Sequence, residues 1–159
     1  MPGWGELPVI TEVGRSIHAG TGWALSRIET VKEVDGRPNL VVHLGADFLL
    51  RRVYRPDDWD HDFVVLDPEG HPRSGPTRSS RIAGPLCFAG DLLARDRLLP
   101  EARPGDLLLV RDTGAYTVAM WSRHCSRGVP PSWGYRADSV RCLHRGETPE
   151  DVVSFWDLR

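Results

Sequence analysis

The sequence predicts a mainly β fold, a small barrel or sandwich closed by one short helix. Three observations predict it. Short β-prone runs recur between Gly and Pro turns, Asp35-Gly36 separates two of them as a hairpin turn would, and Thr148-Pro149-Glu150-Asp151 reads as a helix start near the end of the chain. At 159 residues the chain has the size of one ordinary domain with one core.

In order along the chain, residues 9–12 form a β-prone run that stops at Gly14, and residues 19–22 are a small-residue turn. Between residues 23 and 34 larger apolar and polar side chains alternate; after the Asp35-Gly36 turn the pattern resumes over 39–44, giving a β-hairpin. Residues 47–54 fit one or two helical turns, broken by the polar cluster at 56–62. Residues 63–66 are a brief strand, and a loop rich in Pro, Gly, Ser and Arg follows over 67–80. Strands are expected at 82–88, at 106–111 after the Pro104-Gly105 turn, and at 116–122. Beyond the turn-rich stretch 126–134, residues 135–143 fit a last strand or strand pair. Thr148 then serves as an N-cap with Pro149 at the first helical position and two carboxylates in the first turn, so a short helix closes the chain.

Composition excludes several function classes. With 40% hydrophobic and 26% charged residues the chain is globular rather than disordered. A net charge of -2 gives nucleic acid no electrostatic footing. The apolar runs fall far short of the roughly 20 residues a membrane helix needs, and the opening MPGWGELP lacks the regions of a secretory signal, so the expected compartment is the cytoplasm. Cys87, Cys125 and Cys142 are an odd set without CxxC spacing, which predicts free thiols. No metal site is expected, because His124-Cys125 lacks further ligands at suitable spacing. Lys32 is the sole lysine in the sequence.

The segment from Gly84 to Met120 carries the most specific signal. It holds Gly84-Pro85 with Cys87 and Asp91, then Pro104-Gly105-Asp106, then Gly114-Ala115-Tyr116. This ordered set closely resembles the C-terminal β-domain signature of the fold-type III, pyridoxal-phosphate-dependent diaminopimelate, ornithine and arginine decarboxylases. The same C-terminal domain architecture is shared with alanine racemase. Residues 11–22, TEVGRSIHAGTG, resemble the EPGRS element at the end of the family's (β/α)8 barrel, and RGETPEDVV resembles its closing helix. The resemblance implies two parts: residues 1–22 as a remnant of the last barrel strand with the cofactor element, and residues 23–159 as the C-terminal β-domain.

It also implies roles. A pyridoxal-phosphate enzyme needs a carboxylate at the pyridinium nitrogen and donors around the phosphate. Glu12 matches the family glutamate, Gly14 lets backbone amides approach the phosphate, and Arg15 offers a planar fork to a phosphate or carboxylate. Tyr116 matches the tyrosine whose hydroxyl meets the phosphate, and Cys87 the cysteine presented to the neighbouring subunit's active site as an acid. Arg51 falls where the family places a substrate-carboxylate arginine. Asp91 is expected chiefly to order its loop and stands, with Phe88, among the substrate-side candidates. Each has a plainer reading: a solvated strand end for Glu12, a surface arginine for Arg15, core residues for Tyr116 and Cys87.

The departures are equally specific. Where diaminopimelate decarboxylases follow the cysteine with Glu-Ser, this chain has Phe88-Ala89, so a cationic substrate end loses its partner. Val13 replaces the EPGR proline, and His124-Cys125 replaces asparagines. The Schiff-base lysine is missing, since Lys32 lies on the hairpin and reads as a solvated strand residue. The leading expectation is the small subunit of a split amino-acid decarboxylase, inactive alone, whose barrel partner carries the lysine in a hetero-oligomer such as a dimer of heterodimers. The alternatives are a non-catalytic module docking on a full-length decarboxylase, and a truncated product.

Overall fold

The computed structural model describes Gly5 and residues 7–157. Of the segment expected to be a barrel remnant, residues 1–4 and 6 lie outside the described residues.

Six strands form one sheet in the order β3-β6-β1-β2-β4-β5. They are β1 (Ala24–Val34), β2 (Arg37–Val42), β3 (Phe63–Leu66), β4 (Thr77–Ala83), β5 (Leu92–Pro100) and β6 (Leu107–Val110). The long strand β1 is the spine. Its first residues pair with β6 (Ala24 with Val110), the rest with β2 (Val34 with Arg37), and a register shift between Ile28 and Thr30 bends it from one partner to the other. The outer strands β3 and β5 approach each other, so the sheet curls toward a barrel. Alternation sends Ala24, Ser26 and Ile28 inward from β1, where they meet Leu40, Val42, Ile82, Leu108 and Val110. Phe48 and Leu49, at the start of α2 (Leu50–Tyr54), fill one end of this core.

The hairpin turn forms as its sequence requires. Asp35 and Gly36 take φ of 54° and 71°, the left-handed pair of a tight primed turn, for which Asp-Gly is the favoured dipeptide. A second hairpin, β7 (Ser132–Arg136) with β8 (Ser139–His144), stands outside the main sheet and is tied to it by stacking of Tyr135 on Trp23 at 5.5 Å. The closing helix α3 (Pro149–Trp156) starts at Thr148 with a complete capping box: Thr148 Oγ1 accepts from the Asp151 amide and the Asp151 carboxylate accepts from the Thr148 amide.

Three expectations change and one strand is unforeseen. Residues 9–12 are exposed and form no strand, because a lone β-prone run has no ladder to join; α1 (Arg15–His18) follows directly. The strand expected at 82–88 lies earlier, as β4, and stops at Ala83 before Gly84 and Pro85, which cannot extend a ladder. Residues 92–100 form β5, hidden in the sequence because the charged Arg95, Asp96 and Arg97 interrupt the apolar pattern. Residues 116–122 turn as a short 3₁₀ segment (Val118–Met120) instead of a strand.

Candidate functional site

The Gly-Ala-Tyr element is built for close approach. The Thr113 amide donates to the Gly22 carbonyl at 2.9 Å and the Gly114 amide to the Ala19 carbonyl at 3.0 Å, locking this turn onto the one at 19–22. A side chain on Gly114 would collide with the His18 carbonyl, and one on Gly22 would reach 2.5 Å from Gly114 Cα. Tyr116 leaves this joint with a left-handed φ of 59°, a conformation that costs energy for any residue but Gly and is held by its surroundings.

This geometry delivers Tyr116 to the residues expected to share its site. A Cβ placed on Gly14 would lie 3.9 Å from Tyr116 Oη. The Arg51 guanidinium sits 4.7 Å from the Tyr116 ring centre and 4.8 Å from that of Trp59, and Arg15 sits 4.1 Å from the same Trp59 ring. Trp59 meets Tyr116 edge to face at 5.3 Å. The Nε atoms of Arg15 and Arg51 are buried without a hydrogen-bond partner among the described residues. Two unspent guanidinium donors beside a phenol make a site that favours an anion.

His61 follows Trp59 by two residues in the same loop. Burial pushes its pKa below the usual 6.5, its Nδ1 pairs with the Arg111 carbonyl at 2.9 Å, and Nε2 is buried without a hydrogen-bond partner among the described residues. Sequence reasoning missed Trp59 and His61. Their signal is an aromatic and an imidazole inside the acidic run Asp57-Asp58-Trp59-Asp60-His61-Asp62, whose composition otherwise indicates only a helix breaker.

The first two parts of the signature form a separate feature. The Asp91 carboxylate accepts from the Ala46 and Leu86 amides, each at 2.6 Å, and burial raises its pKa against the pull of those amides. Side chains on Gly45 or Gly84 would run into this carboxylate, which explains both glycines. Asp91 therefore orders the loop and stands apart from the arginine cluster. Pro104-Gly105-Asp106 is likewise architectural: Gly105 has φ of 94°, and buried Asp106 accepts from the Arg103 amide and from Nε and one terminal nitrogen of Arg73.

The loop ordered by Asp91 presents Cys87 and Phe88 to solvent. Phe88 packs against His124 with ring centres 5.4 Å apart, and Cys87 Sγ lies 3.4 Å from Cys125 Sγ. The His124-Cys125 pair thus gains a third potential ligand from 37 residues upstream, which corrects the expectation that none reaches it. Glu12 stays exposed in the segment preceding α1, and Lys32 is exposed on β1.

A profile described as "Pyridoxal-dependent decarboxylase, C-terminal sheet domain" matches residues 20–114. The chain belongs to this decarboxylase family. Diaminopimelate decarboxylases of Methanothermobacter thermautotrophicus and Pseudomonas aeruginosa are 32% and 36% identical over 95% and 94% of the chain, which covers 34% of each. A crystal structure of a diaminopimelate decarboxylase superposes with a TM-score of 0.84 at 30% identity, over 92% of this chain and 36% of that one. The Helicobacter pylori enzyme complexed with L-lysine superposes at 0.80 and 26%, over 91% and 34%. The chain therefore spans about a third of the length of the relatives it matches. These relatives depend on pyridoxal phosphate, and the sheet domain they share with this chain is the mainly β fold described above.

Beside the Tyr116 turn, the decarboxylase sheet domain carries an open groove of about 890 Å³ lined by Trp23, Leu44, Phe48, Val118, Trp133 and Leu143. Trp23 and Trp133 are more than half exposed there. Among the described residues no helix is long and apolar enough to cross a membrane.

The hairpin β7–β8 and α3 are fastened by charge. Glu147 takes both arms of Arg123 (2.9 and 2.5 Å) and the Val129 amide (2.8 Å), and Asp151 takes both arms of Arg145. The Arg123 guanidinium, then the Val129 amide, hold Glu147 below its ordinary 4.5, and Arg145 with the Thr148 amide lower Asp151. Carboxyls with lowered folded pKa stabilise the fold above their unfolded values and lose that contribution as pH falls through the folded ones. Acidification below about pH 4.5 is thus expected to loosen this segment, read as a change in Trp fluorescence that Glu147→Gln removes in part.

Proposed function

We propose that this chain is the small subunit of a split pyridoxal-phosphate-dependent amino-acid decarboxylase, acting in the cytoplasm with a separate barrel-domain polypeptide that carries the cofactor lysine. The observation that supports this most is the convergence of Arg15, Arg51 and Tyr116 with two buried guanidinium Nε atoms unspent. That donor set fits the phosphate of the cofactor and the carboxylate of a substrate. A sheet domain serving only as scaffold would have no use for it.

When bound, the cofactor supplies an electron sink for the charge left as the carboxylate departs. This chain's residues do the rest of their share by position. Tyr116 Oη donates to the phosphate, with Gly14 leaving room for it and Arg15 adding a charged donor. Arg51, held against Trp59 and Tyr116, orients a substrate carboxylate. Glu12 reaches the pyridinium nitrogen once a barrel strand pairs with its exposed segment, where Val9 and Ile10 are 81% and 90% exposed. The open groove beside Tyr116 receives the barrel.

Cys87 faces the neighbouring active site and delivers the proton that replaces the lost carboxylate. Its thiol is pushed above its ordinary pKa, chiefly by hydrogen bonding with Cys125, which keeps it protonated. Phe88 beside it gives the substrate end an apolar contact, so an amino acid with a neutral distal group is favoured over one with a second ammonium.

The test is co-expression with a barrel-domain polypeptide, affinity purification through this chain, and visible absorbance of the eluate. A complex that retains cofactor, and loses most of it with Arg15→Ala and part with Tyr116→Phe, supports the proposal. A complex without cofactor, or a barrel protein that retains it equally well without this chain, favours a non-catalytic docking module. Lys32→Ala should leave cofactor retention unchanged.

A further inference from the structure

We infer that Cys87, His124 and Cys125 form a binding site for one zinc ion. The Sγ atoms of the two cysteines and a ring nitrogen of His124 all lie within 4.8 Å of one another, with the two sulfurs 3.4 Å apart. Around tetrahedral zinc, bonds of about 2.3 Å to sulfur and about 2.0 Å to nitrogen put neighbouring donors roughly 3.4–3.8 Å apart. The two sulfurs need to part by only a few tenths of an ångström, and the His124 nitrogen, within 4.8 Å of them, to close in by at most about 1 Å. Two thiolates and an imidazole are the donor set that selects zinc over the hard cations magnesium and calcium.

The surroundings hold these donors in place. Cys125 and Ser126 adopt φ of 56° and 54°, two successive left-handed non-glycine residues, a strained backbone that turns Cys125 toward Cys87. The strain is held from outside. Arg127 bridges the buried Asp47 carboxylate and the His43 carbonyl, each at 2.6 Å, and the Ser122 amide donates to the Asp47 carbonyl. Asp91 fixes the Cys87 loop from the other side, and Phe88 packs on the His124 ring.

Binding replaces two S–H bonds by two Zn–S bonds and releases both protons to solvent, so affinity rises with pH. All three ligands are exposed, and three protein donors leave a fourth position open to water or another ligand. Occupancy also removes the Cys87 proton. A zinc-loaded chain would therefore be unable to use Cys87 as an acid, a consequence that rests on the split-enzyme reading, whereas the metal binding itself does not.

The full chain, kept reduced with a phosphine and freed of metal, is titrated with Co²⁺ and then Zn²⁺. The expected result is one equivalent of Co²⁺ with thiolate charge-transfer absorption and the intense visible bands of tetrahedral cobalt, displaced by Zn²⁺. Cys125→Ser, Cys87→Ser and His124→Ala should each weaken binding by at least about tenfold, while Cys142→Ser leaves it unchanged. Thermal melting of each variant separates lost ligation from lost folding. Absence of the charge-transfer band, its survival in Cys125→Ser, or its loss in Cys142→Ser overturns the proposal. So does a reduced chain that binds no cobalt but forms a Cys87–Cys125 disulfide when the phosphine is withheld.

Discussion

Replacing Asp91 with alanine is expected to cost this domain a large part of its stability. Its buried carboxylate is the common acceptor for the Ala46 and Leu86 amides, and the substitution leaves both without that partner. A buried donor left unpaired costs about 1–3 kcal/mol, so the loss should reach about 2–5 kcal/mol in denaturant unfolding. Gly45 and Gly84 leave space for that carboxylate, so the cavity adds to the cost. The loop from 85 to 90 would also lose its anchor, and alkylation of Cys87 should change in rate while that of Cys142, on β8, does not. An unchanged midpoint would mean that other contacts order the loop.

Gly114→Ala is expected to act on the site more than on the core. The added methyl would strike the His18 carbonyl, a backbone atom that cannot rotate away, so the joint between residues 18–22 and 113–116 must open. Overpacking of this kind costs about 1–3 kcal/mol. The larger effect is positional. Tyr116 leaves this joint, and a shift there separates it from Arg51 and Trp59 and uncovers the anion site. In a complex with a barrel subunit, cofactor retention should fall more steeply than the melting temperature. If retention holds while stability falls, Tyr116 is positioned by something other than the glycine joint.

The signature from Gly84 to Met120 was legible in the sequence, but its parts serve two ends. Gly84, Asp91, Gly105, Asp106 and Gly114 shape the backbone, by making room for a carboxylate, bridging amides or permitting close approach. Cys87 and Tyr116 are what that backbone presents. Spacing alone does not separate these groups, because a buried carboxylate and a substrate-facing one read alike until their neighbours are known. The β1–β2 hairpin and α3 could be read because their signals are local: a turn dipeptide and a capping box.

The misses have a common cause, since each depends on partners distant in the chain. Strand β5 carries Arg95, Asp96 and Arg97 in its middle and becomes a strand through its ladder with β4. Residues 116–122 have strand composition, yet the close joint at Gly114 and the Ser122 amide on Asp47 pull them into turns. The Val9 and Ile10 run has strand propensity and no ladder. Trp59 joins the site only because α2 and β3 bring their connecting loop back against Arg15 and Tyr116, and the same return seats His61 on the Arg111 carbonyl; no local pattern encodes it.

The most direct test of a shared active site is amino-acid decarboxylation, followed as carbon dioxide release, by a purified barrel-domain polypeptide with and without this chain. A split enzyme gives turnover in the mixture and at most traces from either component, with turnover lost on Tyr116→Phe combined with Arg15→Ala. A barrel polypeptide fully active alone, or a cofactor-loaded mixture whose turnover ignores those substitutions, would contradict it.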